Sequence, residues 1–153
     1  ILAGDTHTSK QQVIRIDRDN SKPPSRAKRN LLLKKLHKIG PSMDAFIVSD
    51  YGHGAVDGAV IAYMRNAAET TTVVGDARYR LKDFQGFTLI TPNESEAYQL
   101  CNMDSGHDIE EVGRKILGIM KITALLVTRG NKGMSLFLKD GPTHHIPISG
   151  PGE

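Results

Sequence analysis

The stretch FTLITPNESE, residues 87–96, contains the change of pattern that decides the fold. Its first four residues form an apolar, β-rich run, which predicts a buried strand. Thr91 and Glu94 then have the spacing of a capping box, and Pro92 suits the first position of a helix because its missing N–H is not needed there. We therefore expect a strand at 87–90 followed directly by a helix over about 94–100.

The same change from strand to helix recurs on both sides of this stretch. Short apolar runs predict further strands, and apolar residues at helical spacing predict further helices. A Gly-rich turn after the strand at 124–127 predicts a hairpin with the run that follows it. This alternation indicates an α/β domain with a largely parallel sheet flanked by helices. The predicted strands are 11–17, 45–48, 71–76, 124–127 and 134–138, and the predicted helices are 25–39, 57–68 and 109–120.

Length and composition limit the classes of protein that this chain can represent. Its 153 residues, of which 39% are hydrophobic and 24% charged, are enough for one domain with a hydrophobic core. Cys101 is the only cysteine, which excludes an internal disulfide and a zinc site built from cysteines. The sequence has neither a signal-peptide pattern nor an apolar run of the roughly 20 residues that span a bilayer. We expect a cytoplasmic protein without a membrane partner.

A basic segment lies between Asn20 and Met43, where seven lysine and arginine residues occur without an acidic one. Such a run can bind nucleic acid. Leucine residues nevertheless recur among these charges at helical spacing, which favours an amphipathic helix with a solvated basic face. Ser25 is the expected N-cap, and Gly40-Pro41 is the expected end. We expect no nucleic-acid partner.

Four predicted strands end in polar or glycine-containing loops, at 49–54, 75–80, 91–96 and 128–133. Because the carboxyl ends of parallel strands meet at one edge of a sheet, these loops should converge. Strand-end glycines allow backbone N–H groups to approach a phosphate, and helix N-termini add a favourable dipole. The sequence therefore predicts a phosphate-binding site at this edge.

The order of these segments carries a resemblance to a known family. Residues 91–96, followed by 127–134, resemble the ribokinase (PfkB-type) carbohydrate kinases. Residues 11–17, 49–54 and 76–84 resemble, more narrowly, the heptose-phosphate kinase branch, which is the kinase domain of ADP-heptose synthase. The resemblance implies a ribokinase-like fold, transfer of a phosphoryl group from ATP to a sugar phosphate, and Mg²⁺ as a cofactor.

The resemblance also implies roles for individual residues. Asn93 and Glu96 match the Asn-x-x-Glu motif that organises magnesium and phosphate, with Glu96 as the metal residue; by spacing alone, Glu96 would be an ordinary exposed helix acid. The loop that holds the nucleotide phosphates corresponds to 128–133 and supplies Thr128, Arg129, Gly130, Asn131 and Gly133. Glu94 is assigned to the capping box.

Substrate or phosphate contacts are expected from Asp50, His53, Asp76 and Arg78. His53 stands where the family loop has a lysine, and this departure weakens the expected anion contact because histidine is only partly charged near neutral pH. Arg78 stands where the branch often has the lysine of Asp-Pro-Lys, and a guanidinium binds phosphate well. A surface salt bridge is the alternative for Arg78. No role is assigned to the other histidines, including His144 and His145.

The resemblance places the catalytic aspartate, in a Gly-Ala-Gly-Asp motif, beyond Glu153. No catalytic residue is therefore assigned within 1–153, which is expected to be a partial kinase domain truncated at both ends and inactive by itself. The family resemblance is compatible with a homodimer of the full-length protein. Two alternatives stay open: a non-catalytic module for nucleotide binding or assembly, and a kinase for another sugar or a nucleoside.

Overall fold

The computed structural model describes residues 2–3, 11–12, 14, 16 and 22–148, and it has an α/β architecture. Two short strands, β1 (Leu2–Ala3) and β2 (Gln11–Gln12), pair with each other in antiparallel fashion. All the longer elements belong to one layered unit. Its helices are α1 (Arg26–Ile39), α2 (Gly58–Ala67), α3 (Glu94–Cys101) and α4 (Ile109–Met120), and its strands are β3 (Ala45–Asp50), β4 (Thr72–Ala77), β5 (Leu89–Ile90), β6 (Ala124–Thr128), β7 (Met134–Leu138) and β8 (His144–Ile146).

The main sheet has six strands in the order β3-β4-β5-β6-β7-β8. Its first four strands are parallel, whereas β7 and β8 are each antiparallel to the preceding strand. The β6–β7 hairpin confirms the hairpin predicted through the Gly-rich turn. A largely parallel sheet with helices is therefore confirmed, and the carboxyl ends of β3 to β6 share one edge.

The strand predicted at 11–17 is the main departure within the described residues. Among the described residues of this stretch, Gln11–Gln12 forms a strand, whereas Ile14 and Ile16 lie outside any strand and are 46% and 74% exposed. The strand predicted from the alternating pattern was therefore wrong at these two isoleucines, which are not buried as that pattern requires. Residues 13, 15 and 17 lie outside the described residues.

Helix α1 has the ends that the sequence predicts, because the Ser25 hydroxyl accepts a hydrogen bond from the Lys28 N–H and the helix stops before Gly40. Leu32, Leu33 and Leu36 pack against the core, while the basic side chains other than half-buried Arg29 are exposed. The Tyr63 hydroxyl of α2 donates to the Leu36 carbonyl at 2.9 Å. The basic segment is thus an amphipathic helix anchored by its leucines.

The core lies between the sheet and helices α2, α3 and α4. Val73, Ile90, Leu125 and Phe137 point from successive strands toward this side and are fully buried. On the opposite side of the sheet, Ile47 of β3 is 81% exposed. Within the described residues, the helices therefore cover one face of the sheet. No helix in this part of the chain is long and apolar enough to span a membrane.

Two glycines of α4 offer a test of how tightly this helix packs on the sheet. A Cβ at Gly113 would lie 2.5 Å from ring carbons of Phe137, whereas a Cβ at Gly118 would meet nothing within 4 Å. We expect Gly113→Ala to lower the free energy of unfolding by about 1–3 kcal/mol through overpacking. Gly118→Ala should raise it by about 0.5–1 kcal/mol, because alanine has the higher helix propensity. Urea unfolding followed by circular dichroism measures both, and stabilisation by both substitutions would contradict the packing described.

Candidate functional site

The carboxyl ends of β3 to β6 and the start of α3 enclose a cleft of about 390 Å³. Six of the residues selected from the sequence lie on its wall, so the predicted convergence of strand-end loops is confirmed. The lining residues are Asp50, Tyr51, Asp76, Ala77, Arg78, Thr91, Asn93, Glu96 and Thr128.

The remaining selected residues lie outside this lining. His53 is exposed on the loop after β3, two residues beyond the cleft-lining Tyr51. Arg129, Gly130, Asn131 and Gly133 follow Thr128 along the chain but do not line the cleft. The structure therefore brings Asp50, Asp76, Arg78, Asn93, Glu96 and Thr128 together, and it leaves His53 apart from them.

The N-terminus of α3 is closed by a capping box that lies two residues later than predicted. Asn93 is the N-cap, and its side chain accepts from the Glu96 N–H at 2.9 Å. Glu96 Oε2 in turn accepts from the Asn93 N–H, also at 2.9 Å. The assignment of Thr91 and Glu94 to the cap was therefore wrong. Thr91 is still paired with the sheet through its N–H, which donates to the Gly75 carbonyl at 3.0 Å, so it cannot start the helix.

Glu96 has the chemistry expected of a magnesium residue. One of its carboxylate oxygens is used by the cap, and the side chain lines the cleft with Asp50 and Asp76. The described residues contain no cluster of three or more acidic, histidine or cysteine side chains that could hold a metal alone. Mg²⁺ is usually bound through one or two carboxylates together with phosphate oxygens and water, so this donor set fits it.

The two aspartates at the ends of β3 and β4 differ in their surroundings. Asp50 is only 5% exposed, and its Oδ1 accepts from the Gly52 N–H at 2.9 Å. Asp76 is exposed, and its Oδ1 accepts from the Thr91 hydroxyl at 3.3 Å. Asp50 is therefore held in one position at the base of the cleft, whereas Asp76 faces its opening.

Arg78 supplies an unpaired positive charge to the cleft. Its guanidinium carbon lies 5.7 Å from the ring centre of Tyr79, and no carboxylate of the described residues forms an ion pair with it. The alternative of a surface salt bridge is therefore not realised among these residues. An exposed guanidinium above the strand ends is suited to bind phosphate oxygens in a bidentate manner.

The two glycines of the turn between β6 and β7 differ in their surroundings. Both have positive φ, 57° for Gly130 and 81° for Gly133, which favours glycine. A Cβ at Gly133 would collide with the Ile146 carbonyl oxygen of β8, so the absent side chain there accommodates protein backbone. A Cβ at Gly130 would meet no atom within 4 Å, so its surroundings are open to a ligand.

Arg129 forms a partly buried network that the sequence did not predict. Its Nε and Nη2 both donate to Glu94 Oε1 at 3.2 Å, and its Nη1 donates to the Ser135 hydroxyl at 3.3 Å. Ser135 is fully buried, and its hydroxyl oxygen lies 2.9 Å from His145 Nδ1. Arg129 is thus engaged with protein groups, and its guanidinium joins the start of α3 to β7. Pairs so distant in sequence leave no local pattern from which they could be found.

Arg80 is a further residue near the site that the sequence reasoning missed. Its Nε lies 3.5 Å from Asp50 Oδ2, and its side chain lines a second cavity that adjoins the cleft at Ala77, Arg78 and Glu96. The signal that could have revealed it is Asp50 itself, because a buried carboxylate requires a cation or several donors nearby.

Comparison with known proteins agrees with this geometry. Residues 12–151, nearly the whole chain, match the profile of the pfkB family carbohydrate kinases. The chain belongs to this family. The heptose-phosphate kinase branch of the pfkB family, to which the sequence pointed, is supported by relatives with the name bifunctional protein HldE.

These HldE relatives share about a third of the aligned residues with the chain. The protein from Geobacter metallireducens is 32% identical over 143 residues, which is 90% of this chain and 29% of the relative. The protein from Haemophilus influenzae is 33% identical over 120 residues, which is 76% of this chain and 25% of the relative. The chain thus spans less than a third of the length of these pfkB-family relatives.

Solved structures confirm the ribokinase-like fold. Phosphofructokinase-2 from Escherichia coli superposes with a TM-score of 0.69 at 16% identity, over 86% of this chain and 44% of the enzyme. Ribokinase from Arabidopsis thaliana gives a TM-score of 0.57 at 16% identity, over 83% of this chain and 39% of the enzyme. At these identities the likeness shows a shared fold and nothing more.

The Glu94–Arg129 pair can be tested by its contribution to stability. Both side chains are partly buried, 25% exposed for Glu94 and 17% for Arg129, so we expect Glu94→Gln to lower the free energy of unfolding by about 1–3 kcal/mol. Glu111→Gln, at an exposed position of α4, should change it by less than about 0.5 kcal/mol. Urea unfolding of both variants decides the matter, and equal effects would show that Glu94 is an ordinary surface acid.

Proposed function

We propose that the protein carrying this chain is an ATP-dependent kinase that uses Mg²⁺ to phosphorylate a sugar phosphate, with a heptose phosphate as the acceptor. The observation that carries the proposal is the meeting of Asp50, Arg78, Asn93, Glu96 and Thr128 in one cleft at the strand ends. Phosphoryl transfer depends chiefly on positioning and charge stabilisation, and this cleft supplies groups for both.

We assign binding of the phosphate groups to Arg78, the start of α3 and the β6–β7 turn. Arg78 can neutralise charge on the transferred group, because its guanidinium has no carboxylate partner among the described residues. The N-terminal dipole of α3 favours negative charge at the same end of the cleft. Thr128 and Gly130 mark the side on which the nucleotide phosphates approach, where Gly130 leaves open space.

Glu96 is the residue that would hold Mg²⁺, with Asp76 exposed on the same cleft as a further oxygen donor. When bound, this ion supplies neutralisation of phosphate charge. Asn93 keeps Glu96 in place, since each accepts a hydrogen bond from the backbone of the other. These two hydrogen bonds would thus hold Glu96 in position before Mg²⁺ binds.

We assign binding of the acceptor sugar to Asp50, whose buried carboxylate can accept a hydrogen bond from a sugar hydroxyl. A heptose phosphate is supported by the HldE relatives together with the resemblance of 49–54 and 76–84 to the heptose-phosphate kinase branch. We assign no proton-accepting residue to 1–153, because the resemblance places the catalytic aspartate beyond Glu153.

We further propose that residues 1–153 are part of a larger kinase domain that acts in the cytoplasm and can form a homodimer. That residues 1–153 are part of a larger domain is supported by the fraction of a solved kinase chain that they cover, which is 44% for phosphofructokinase-2.

The acceptor is tested by offering the full-length protein ATP, Mg²⁺ and one of four acceptors: heptose 7-phosphate, fructose phosphate, ribose or adenosine. We expect the highest kcat/KM with heptose 7-phosphate, measured by ADP release in a coupled assay. Turnover of adenosine alone would overturn the heptose assignment while leaving the kinase assignment intact. Absence of turnover with every acceptor would contradict the proposed activity.

The proposed role of Glu96 in binding Mg²⁺ can be separated from its role in the helix cap by Glu96→Gln. Glutamine also completes a capping box, so the free energy of unfolding should change by less than about 0.5 kcal/mol. The lost carboxylate should lower kcat by at least about tenfold and raise the Mg²⁺ concentration needed for half-maximal rate. Glu69 is an exposed acid remote from the cleft, so Glu69→Gln is the matched control. It should leave kcat and the required Mg²⁺ concentration unchanged. An active Glu96→Gln variant with an unaltered Mg²⁺ requirement would refute the metal role.

A further inference from the structure

Asp50 is the one charged side chain among the described residues that is buried. Burying a carboxylate is unfavourable unless donors or a cation compensate for the lost hydration. One donor is the Gly52 N–H, which reaches Oδ1 at 2.9 Å because Gly52, with a φ of 79°, turns the chain back toward Asp50. A single backbone donor leaves the other oxygen to be satisfied elsewhere.

Arg80 supplies the compensating charge. Its Nε lies 3.5 Å from Asp50 Oδ2, and in the described part of the chain no other cationic side chain lies within ion-pair distance of Asp50. The Nε atom is itself buried, and its N–H is not aligned with any acceptor. The attraction between the two residues is therefore that of neighbouring charges and does not saturate Asp50 Oδ2 with a directed hydrogen bond.

The guanidinium of Arg80 is fixed by two further contacts. Its Nη2 donates to the Val56 carbonyl at 2.8 Å, in the loop after β3, and its Nε lies 3.2 Å from Asp83 Oδ2. These contacts tie Arg80 to both loops that border Asp50. The backbone adds a third connection, because the Arg78 N–H donates to the Asp50 carbonyl at 3.1 Å.

We propose that Arg80 is the positioning residue for Asp50: it holds the buried carboxylate at the base of the cleft so that the carboxylate accepts a hydrogen bond from a hydroxyl of the acceptor sugar. This inference rests on the proposed kinase function. Arg80 acts through Asp50 and contacts no reacting atom. It follows that loss of Arg80 impairs recognition of the acceptor and leaves recognition of ATP unchanged.

Arg65 of α2 provides a matched control, because it contacts the segment that follows Arg80. Its Nε donates to the Gln85 carbonyl at 2.8 Å, and its Nη2 donates to the Asp83 carbonyl at 3.1 Å. It thus supports the residues after Arg80 much as Arg80 does, but it forms no ion pair with Asp50 among the described contacts. Arg65→Gln reports the effect of loosening this segment alone.

The test compares Arg80→Gln, Arg80→Lys and Arg65→Gln in the full-length protein. For Arg80→Gln we expect the KM of heptose 7-phosphate to rise by about tenfold or more, with the KM of ATP unchanged. Arg80→Lys should recover part of this loss, since it keeps the charge. Arg65→Gln should leave the KM of the acceptor unaltered. Equal changes for Arg80→Gln and Arg65→Gln would reduce Arg80 to a structural residue and overturn the proposal.

A double-mutant cycle adds a readout that a purely structural role would not move. If Arg80 acts through Asp50, Arg80→Gln should have little further effect on acceptor kcat/KM in an Asp50→Asn background. Additive effects would contradict the proposal.

Failure of the proposed function would be recognised separately. If the unaltered protein transfers no phosphoryl group, calorimetric binding of heptose 7-phosphate decides the role of Arg80. Weaker binding by Arg80→Gln than by Arg65→Gln would support the proposal, and equal or absent binding would overturn it.

Discussion

Two backbone hydrogen bonds continue the pairing of β5 beyond its last residue and determine where the site forms. The Thr91 N–H donates to the Gly75 carbonyl of β4, and the Thr128 N–H of β6 donates to the Pro92 carbonyl, each at 3.0 Å. The chain between β5 and α3 is therefore held to both neighbouring strands until Asn93 begins the helix. Because of this, α3 starts between the ends of β4 and β6, and Asn93, Glu96, Asp76 and Thr128 meet at one cleft.

The extension of β5 also explains which parts of the fold could be predicted. Periodicity located the strands from β3 to β7 and the helices, because each buries an apolar face that recurs along the sequence. Periodicity could not choose between two overlapping capping boxes, since Thr91/Glu94 and Asn93/Glu96 have the same spacing. The choice is made by pairing between strands, which keeps Thr91 extended and is absent from any local pattern.

Electrostatic pairing limited the prediction of the site in a similar way. Asp50 and Arg78, which the resemblance selected, line the cleft. Arg129, which it assigned to the nucleotide phosphates, contacts Glu94 and Ser135 through its guanidinium. The resemblance also gave no reason to select Arg80. The two arginines neutralise acids 35 and 30 residues away in the chain, Glu94 and Asp50 respectively. Such partners are chosen by the three-dimensional arrangement of loops, which only the folded chain reveals.

The structural role of the Asn93–Glu96 pair in the cap is compatible with the functional role proposed for Glu96. Capping uses the Asn93 side-chain oxygen and Glu96 Oε2, and it fixes the rotamers of both side chains. The second carboxylate oxygen of Glu96 is not required by the cap, and the side chain lines the cleft. The hydrogen bond that begins the helix therefore also reduces the conformational entropy that Glu96 would lose on binding a metal. Under the proposed function, spacing that is typical of an ordinary helix start would also preorganise Glu96 for Mg²⁺.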